Sequence, residues 1–199
     1  MEPSSVLEFW FGTKTDMAEI NAEKSQLWWG KDSQIDLEIT RRFEDLAERV
    51  RSGDGYGHWK ADPRGCLASI IAVDQFPRNM YRGTPRSFAG DAVARSLAGH
   101  LIASGFDKSL SPLERVFAYL PYEHSESLED QERSVALYRS LIEIVAPSER
   151  EMFEGFLDYA LRHHEIIERF GRFPHRNDIL GRGSSAEERE FLTQDGSSF

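Results

Sequence analysis

The sequence contains a single cysteine, Cys66, in 199 residues. One thiol excludes an intramolecular disulfide framework and a cysteine-built zinc cluster, and Cys66 lies among apolar neighbours as a small core residue would. A reducing, cytoplasmic setting is the expectation. Positive charge is also scarce: 24 Lys and Arg face 34 Asp and Glu, a formal net charge of -10. A nucleic-acid binder needs a basic stripe to meet phosphates, and none of any length occurs. No run of about 18 apolar residues is present, and Met1-Glu2-Pro3-Ser4-Ser5-Val6-Leu7 shows neither the basic nor the apolar region of a signal peptide. Neither secretion nor a membrane partner is expected.

Several chemical signatures are missing as well. There is no glycine-rich phosphate loop of the Walker or dinucleotide type, no Gly-x-Ser-x-Gly elbow, and no His-x-x-x-His or His-Glu-x-x-His spacing. A metal site, a bound cofactor and a serine hydrolase are therefore not expected, and a nucleotide would have to be held in some other way. Alternating strand patterns bounded by hairpin turns are absent too.

What the chain does have is helical periodicity almost throughout. With 40% hydrophobic and 29% charged residues it can bury a core as one domain over 1–199. The pattern predicts a short helix over Ser4–Gly12, one containing Trp28 and Trp29, and one over Ser33–Arg51. Asp62 and Pro63 open a fourth, which Pro77 is expected to stop. Helices over Ser87–Ala103, from Ser111-Pro112, from Ser127 to about Val145 and from Ser148 to Gly171 follow, with Leu120–Glu126 read as a loop. Ser184 or Ser185 opens a last short helix, and Gln194–Phe199 reads as a frayed tail. The result is an all-α array or bundle of about eight or nine antiparallel helices. Trp10, Trp28, Trp29 and Trp59 fall at helical spacing and read as core.

The polar chemistry gathers at two corners of similar wording. Phe76-Pro77-Arg78-Asn79 leads to Arg82-Gly83-Thr84, and Phe173-Pro174-His175-Arg176-Asn177 leads to Arg182-Gly183-Ser184, an internal pseudo-repeat. Arg172 precedes the second corner. Guanidinium forks bind carboxylate or phosphate with two parallel hydrogen bonds, so Arg78, Arg82, Arg172, Arg176 and Arg182 are candidate anion ligands, with Gln75, Asn79 and Asn177 to orient it. Asp74 follows Leu67, Ile70 and Ile71 at spacings of seven, four and three, which turns its carboxylate toward the core. It needs a cation there, from Arg78, Arg82 or the second corner; a buried ion pair and a ligand pocket are both consistent with that. His163 shares a stripe with Phe156, Ala160, Ile167 and Phe170, whereas His164 is turned away. His163, His175, His124 and Glu126 complete the candidate proton-transfer groups, the last two lying with Ser125 just before a helix start.

Taken together, Leu7 to Gly12, Asp74 to Asn79, Leu120 to Glu126 with Asp130-Gln131, and His163 through Asn177 to Arg182 resemble a bacterial family of unknown function, domain of unknown function nine-two-four. The resemblance runs from about Val6 to Leu192. It implies a single all-α domain of the tetratricopeptide-like class, brings no established activity, and favours His163 over His164. Two functions fit. In one, the two corners and the His124 loop converge on a pocket for a small anionic ligand, phosphorylated or carboxylated, where hydrolysis or group transfer is suited. In the other, a tetratricopeptide-like module holds an acidic peptide without catalysis. A third, purely structural reading has the polar residues lock the corners together.

Overall fold

The computed structural model describes residues 1–198. Ten α-helices and no strand occur among them. First come α1 (Pro3–Phe11), α2 (Met17–Trp29) and α3 (Ser33–Ser52). Next, α4 (Pro63–Ile70) passes through a π-helical turn, Ile71–Gln75, directly into α5 (Phe76–Met80). Then follow α6 (Asp91–Ala103), α7 (Pro112–Glu123), α8 (Leu128–Ile144), α9 (Arg150–Phe170) and α10 (Ala186–Phe191). No described helix is long and apolar enough to cross a membrane.

Capping chemistry sets most of the starts. The side chains of Asp32 and Asp62 each accept two backbone N–H groups at the heads of α3 and α4. Reciprocal capping boxes, Ser111 with Glu114 and Ser185 with Glu188, open α7 and α10. Gly171, at φ 65°, closes α9 in the left-handed conformation.

The rod made by α4, the π-turn and α5 is the axis of the domain. Residues 65–77 are buried without interruption, so this helix has no solvent face and needs neighbours all round. They are α1, α3, α6 and α7. Aromatic packing fills the contact: Phe76 stacks on Phe43 at 4.5 Å and meets Trp10 edge-on at 5.6 Å, and Trp10 meets Phe117 at 5.7 Å. Each such side chain is worth about 1.5–3 kcal/mol of transfer energy. The chain then folds back on itself through α7, α8 and α9, which pack in succession across short connections.

The structure corrects four readings of the sequence. Pro77 does not stop its helix. The π-turn shifts the hydrogen-bond register, Phe76 N–H reaching back five residues to Ile71, and the helix runs on to Met80. Val73 O, the acceptor that a residue at 77 would ordinarily bond, instead lies against Gly90, where any side chain would strike it. Leu120–Glu126 is not one loop either, since α7 continues through Pro121 to Glu123. The nearly unbroken burial of 116–123 holds it helical despite the lost donor, and the Gln131 side-chain amide donates to the carbonyls of Glu123 and Ser125 beyond it. Helix α6 starts at Asp91, because 85–88 form a 3-10 turn. Ser127 is the N-cap of α8 but makes no side-chain cap; Asp130 is held by Ser125 Oγ at 2.6 Å and Arg95 at 3.3 Å. In the tail, residues 192–197 form turns and bends, with Ser197 buried; Phe199 lies outside the described residues.

Candidate functional site

Where the rod meets α6, α7 and the segment after α9, side chains from both Phe-Pro corners close into a ring. Asp74, on the π-turn, is fully buried. Its Oδ1 accepts from His124 Nδ1 at 2.8 Å, its Oδ2 from Gln75 Nε2 at 2.6 Å, and its main-chain carbonyl from Arg78 Nη1 at 2.7 Å. Arg78 Nη1 also lies 3.4 Å from Asp74 Oδ1 and donates at 2.9 Å to Asp91 Oδ1. The other Asp91 oxygen is 3.4 Å from Nη1 of Arg176 in the second corner. Arg176 lies over the rings of both Phe88 and Phe173, at 4.6 and 4.5 Å from their centres. Phe173 meets His163 at 5.5 Å, and His163 faces His124 at 6.5 Å, which completes the circuit. His175 stands against Phe173 at 5.6 Å.

The charge states follow from burial and neighbours. Burial would raise the Asp74 carboxyl, but His124, Arg78 and the hydrogen bonds from His124 and Gln75 hold it well below the ordinary carboxylate range. Burial and then Arg78 lower His124, outweighing the pull of Asp74. His163 is lowered to about 3, mainly by burial, and His175 to about 4 by burial and Arg176. Burial and Arg78 push Arg176 down to about 10. All three histidines are thus neutral at pH 7 and the two ring arginines are charged.

Behind the ring lies a second carboxyl and imidazole pair. Glu123 Oε1 is 3.2 Å from His163 Nδ1, which also lies 2.8 Å from Tyr159 O. Burial, with the Asp74 charge, raises Glu123 to about 8. Raised that far, the Glu123 acid carries its proton at pH 7. Tyr138, close by, gives its hydrogen to Val116 O at 3.0 Å.

The remaining predicted residues sit around this centre rather than in it. Asn79 Nδ2 and both arms of Arg82 hold Asp36, in the first turn of α3, at 2.7–3.1 Å. Arg172 grips Glu188, in the first turn of α10, at 2.6 and 2.8 Å, while Asn177 Nδ2 donates to Ser184 Oγ. The corners thus share a device: each fastens the carboxylate of a helix start. Glu126 accepts two hydrogen bonds from Arg182, at 2.7 and 2.9 Å, and one from Phe173 N–H at 2.8 Å, which ties the His124 loop to the second corner.

Asp91, Phe88, Glu123 and Tyr138 belong to the assembly and are not among the sequence candidates. Glu123 carried a signal, since it follows Val116 by seven and Leu120 by three, the spacing that turned Asp74 inward; reading 120–126 as a loop hid it. Asp91 follows a helix-opening glycine, and nothing local to it marks a bridge between arginines 98 positions apart in the chain. Among the described residues no three His, Cys, Asp or Glu side chains lie close enough to hold a metal ion.

Against this geometry stand the comparisons with known proteins. A family model described as bacterial protein of unknown function (DUF924) matches residues 6–196. The chain belongs to this family. A solved structure, that of the protein of unknown function ATU0120 from Agrobacterium tumefaciens, superposes with a TM-score of 0.80 at 34% identity, covering 96% of each chain. No curated protein matches. The all-α single-domain fold is thereby shared with an experimental structure, whereas neither the DUF924 description nor that structure's name assigns an activity.

Proposed function

We propose that this DUF924 protein is a cytosolic helical domain that binds a small phosphorylated or carboxylated anion at Arg78 and Arg176, with His124 as the proton-transferring group for hydrolysis or transfer. In the same reading, α7, α8 and α9 are the tetratricopeptide-like part of the frame. The observation that carries the proposal is Arg176. Its guanidinium is buried, its Nε has no partner among the described residues, and its one carboxylate contact, at 3.4 Å, is to an Asp91 that Arg78 already holds at 2.9 Å. Arg78 Nη2 is buried without a partner too. Buried cations are ordinarily matched, and a second anion beside Asp91 would complete this pair. Asp91, Glu126 and Arg182, each about a quarter exposed, form the approach.

Catalysis is supported by the Asp74 and His124 arrangement. An ionised, buried carboxylate orienting a neutral imidazole is a general-base geometry, and paired guanidiniums suit charge that develops on phosphoryl or carboxyl oxygens.

The test is thermal stability of the wild type and Arg176→Met with inorganic phosphate, small carboxylates, phosphate esters and an acidic peptide. Methionine keeps the bulk and leaves Asp91 with Arg78. The expected result is a melting-point rise for the wild type with small anions, equivalent to about 2.7 kcal/mol at a hundred times Kd. It is absent in Arg176→Met, which by itself melts within a few degrees of wild type. A variant that melts far lower, with no anion shifting the wild type, would establish the corner-lock reading instead. A shift with the acidic peptide alone would turn the site over to a protein partner.

A further inference from the structure

We infer that the cleft between α3 and α6 is a second binding site, for a mainly apolar small molecule whose one carboxylate is held by Lys60. It shares no residue with the ring around Asp74 and Arg176, and it does not depend on anion binding there.

Both helices pack on the rod, and two cavities open between them. The larger, about 360 Å³, has Ser69 of the rod at its floor, Val50 of α3 on one side and Val93 and Leu97 of α6 on the other; Tyr56 and Lys60 line it from the segment after α3. The smaller, about 190 Å³, lies one turn further along the rod, at Val73. Charge separates the two. In the smaller, Arg51 holds Glu48 at 2.7 Å, and Arg86 donates to Tyr81 Oη at 2.8 Å with Glu44 at 3.7 Å, so its cations are matched within the chain. In the larger, Lys60 is the one charged lining residue, and it makes no ion pair among the described residues.

The rest of the larger cavity is apolar. Tyr56, Val93 and Leu97 pack on the core but stay half-buried, so part of their surface faces this space, and covering it is favourable. Ser69 spends its hydrogen on Gly65 O at 3.0 Å, so the floor offers an anion no side-chain donor. An apolar body therefore belongs on the floor and an anionic end at Lys60. The main chain of Lys60 is pinned: its carbonyl accepts from His100 Nε2 of α6 at 2.9 Å, and Trp59 beside it is buried against Tyr56, ring centres 4.8 Å apart. Gly53 and Gly57 line the cavity with open space where a side chain would stand, which keeps its entrance clear. A cavity of about 150 Å³ holds a benzene ring, so this one suits about a dozen non-hydrogen atoms.

The experiment is calorimetric titration of wild type, Lys60→Gln, Val93→Phe and Arg176→Met with 4-phenylbutyrate and with its neutral and cationic counterparts, 4-phenylbutanol and 4-phenylbutylamine. The acid should bind wild type about fivefold more tightly than the alcohol, the gain of one partly exposed ion pair, and the amine more weakly than either. Lys60→Gln alters an exposed side chain, leaves the fold intact and should level the acid with the alcohol. Val93→Phe fills the cleft and should abolish both, whereas Arg176→Met should change neither. In the unaltered chain, the methyl resonances of Val50, Val93 and Leu97 should move with the acid. No binding of acid or alcohol, or binding that leaves those methyls still, would overturn the inference. So would equal affinities for acid and amine, or acid binding that is lost in Arg176→Met and kept in Lys60→Gln, which would place the carboxylate in the ring.

Discussion

Asp74 with His124 and Glu123 with His163 are the same pair of functional groups, buried to similar depth a few ångströms apart, yet one acid is ionised and the other neutral. Asp74 is ionised because Arg78 stands at 3.4 Å, and Gln75 and His124 donate to it. Among the described residues the one basic partner within reach of Glu123 is His163, itself neutral, so its acid stays protonated. Burial therefore does not decide whether a carboxyl is charged; the presence of a fixed cation does. The DUF924 protein has used that difference to place one ionised and one neutral acid behind adjacent imidazoles.

The comparison breaks hardest at Asp74. Asp74→Asn removes the buried one of the two carboxylates beside Arg78, leaving Asp91 at 2.9 Å, and should cost about 3 kcal/mol, read as a lower denaturant midpoint. Glu123→Gln replaces a protonated acid by its neutral isostere and should behave oppositely. Because the folded-state pKa of Glu123 is raised to about 8, its contribution is full below the unfolded value of 4.5 and is lost as pH rises through the folded one. The wild type should thus weaken relative to Glu123→Gln from about pH 4.5 to 8, by at most about 1.4 kcal/mol per pH unit. Parallel stability curves for the two proteins would refute the neutral-acid assignment.

Gly90→Ala sharpens the contrast by striking one pair only. The new methyl meets Val73 O in the π-turn that carries Asp74 and should cost about 1–3 kcal/mol, with histidine resonance changes at His124 larger than at His163. The smallest effect belongs to the periphery. Ser185→Ala removes the α10 capping box and should cost about 1 kcal/mol, leaving both pairs and any anion-induced thermal shift untouched.

Much of this was legible in the residues. The helix starts at Asp62, Ser111 and Ser185 are short-range chemistry, readable from a few neighbouring letters. The inward turn of Asp74 and of His163 followed from spacing on one helix face, and the structure bears out both: each is buried, and Arg78 meets Asp74 as one of its expected cations. The errors arose where long-range packing overrides a local rule. Pro77 and Pro121 look like terminators, yet each sits in a segment buried on all sides, where tertiary contacts outweigh one missing donor. The corner arginines and asparagines looked alike in sequence, but their partners Asp36, Asp91 and Glu188 lie 13 to 85 positions away in the first turns of other helices, and nothing local to the corners marks which one each will meet. So the site divides: Arg78 and Arg176 face the centre, while Arg82 and Arg172 serve as fasteners.

The π-turn at Ile71–Gln75 has one further consequence, for the length of the chain. It places one extra residue in a turn, so everything beyond it is rotated by about 100° from where an α-helix would have carried it. Arg78 reaches Asp91, and Asn79 and Arg82 together reach Asp36, from that setting. A single-residue deletion between 71 and 75 would restore an unbroken α-helix and dial the whole first corner to the wrong hour. The far-ultraviolet spectrum would keep its helical shape while the ring came apart.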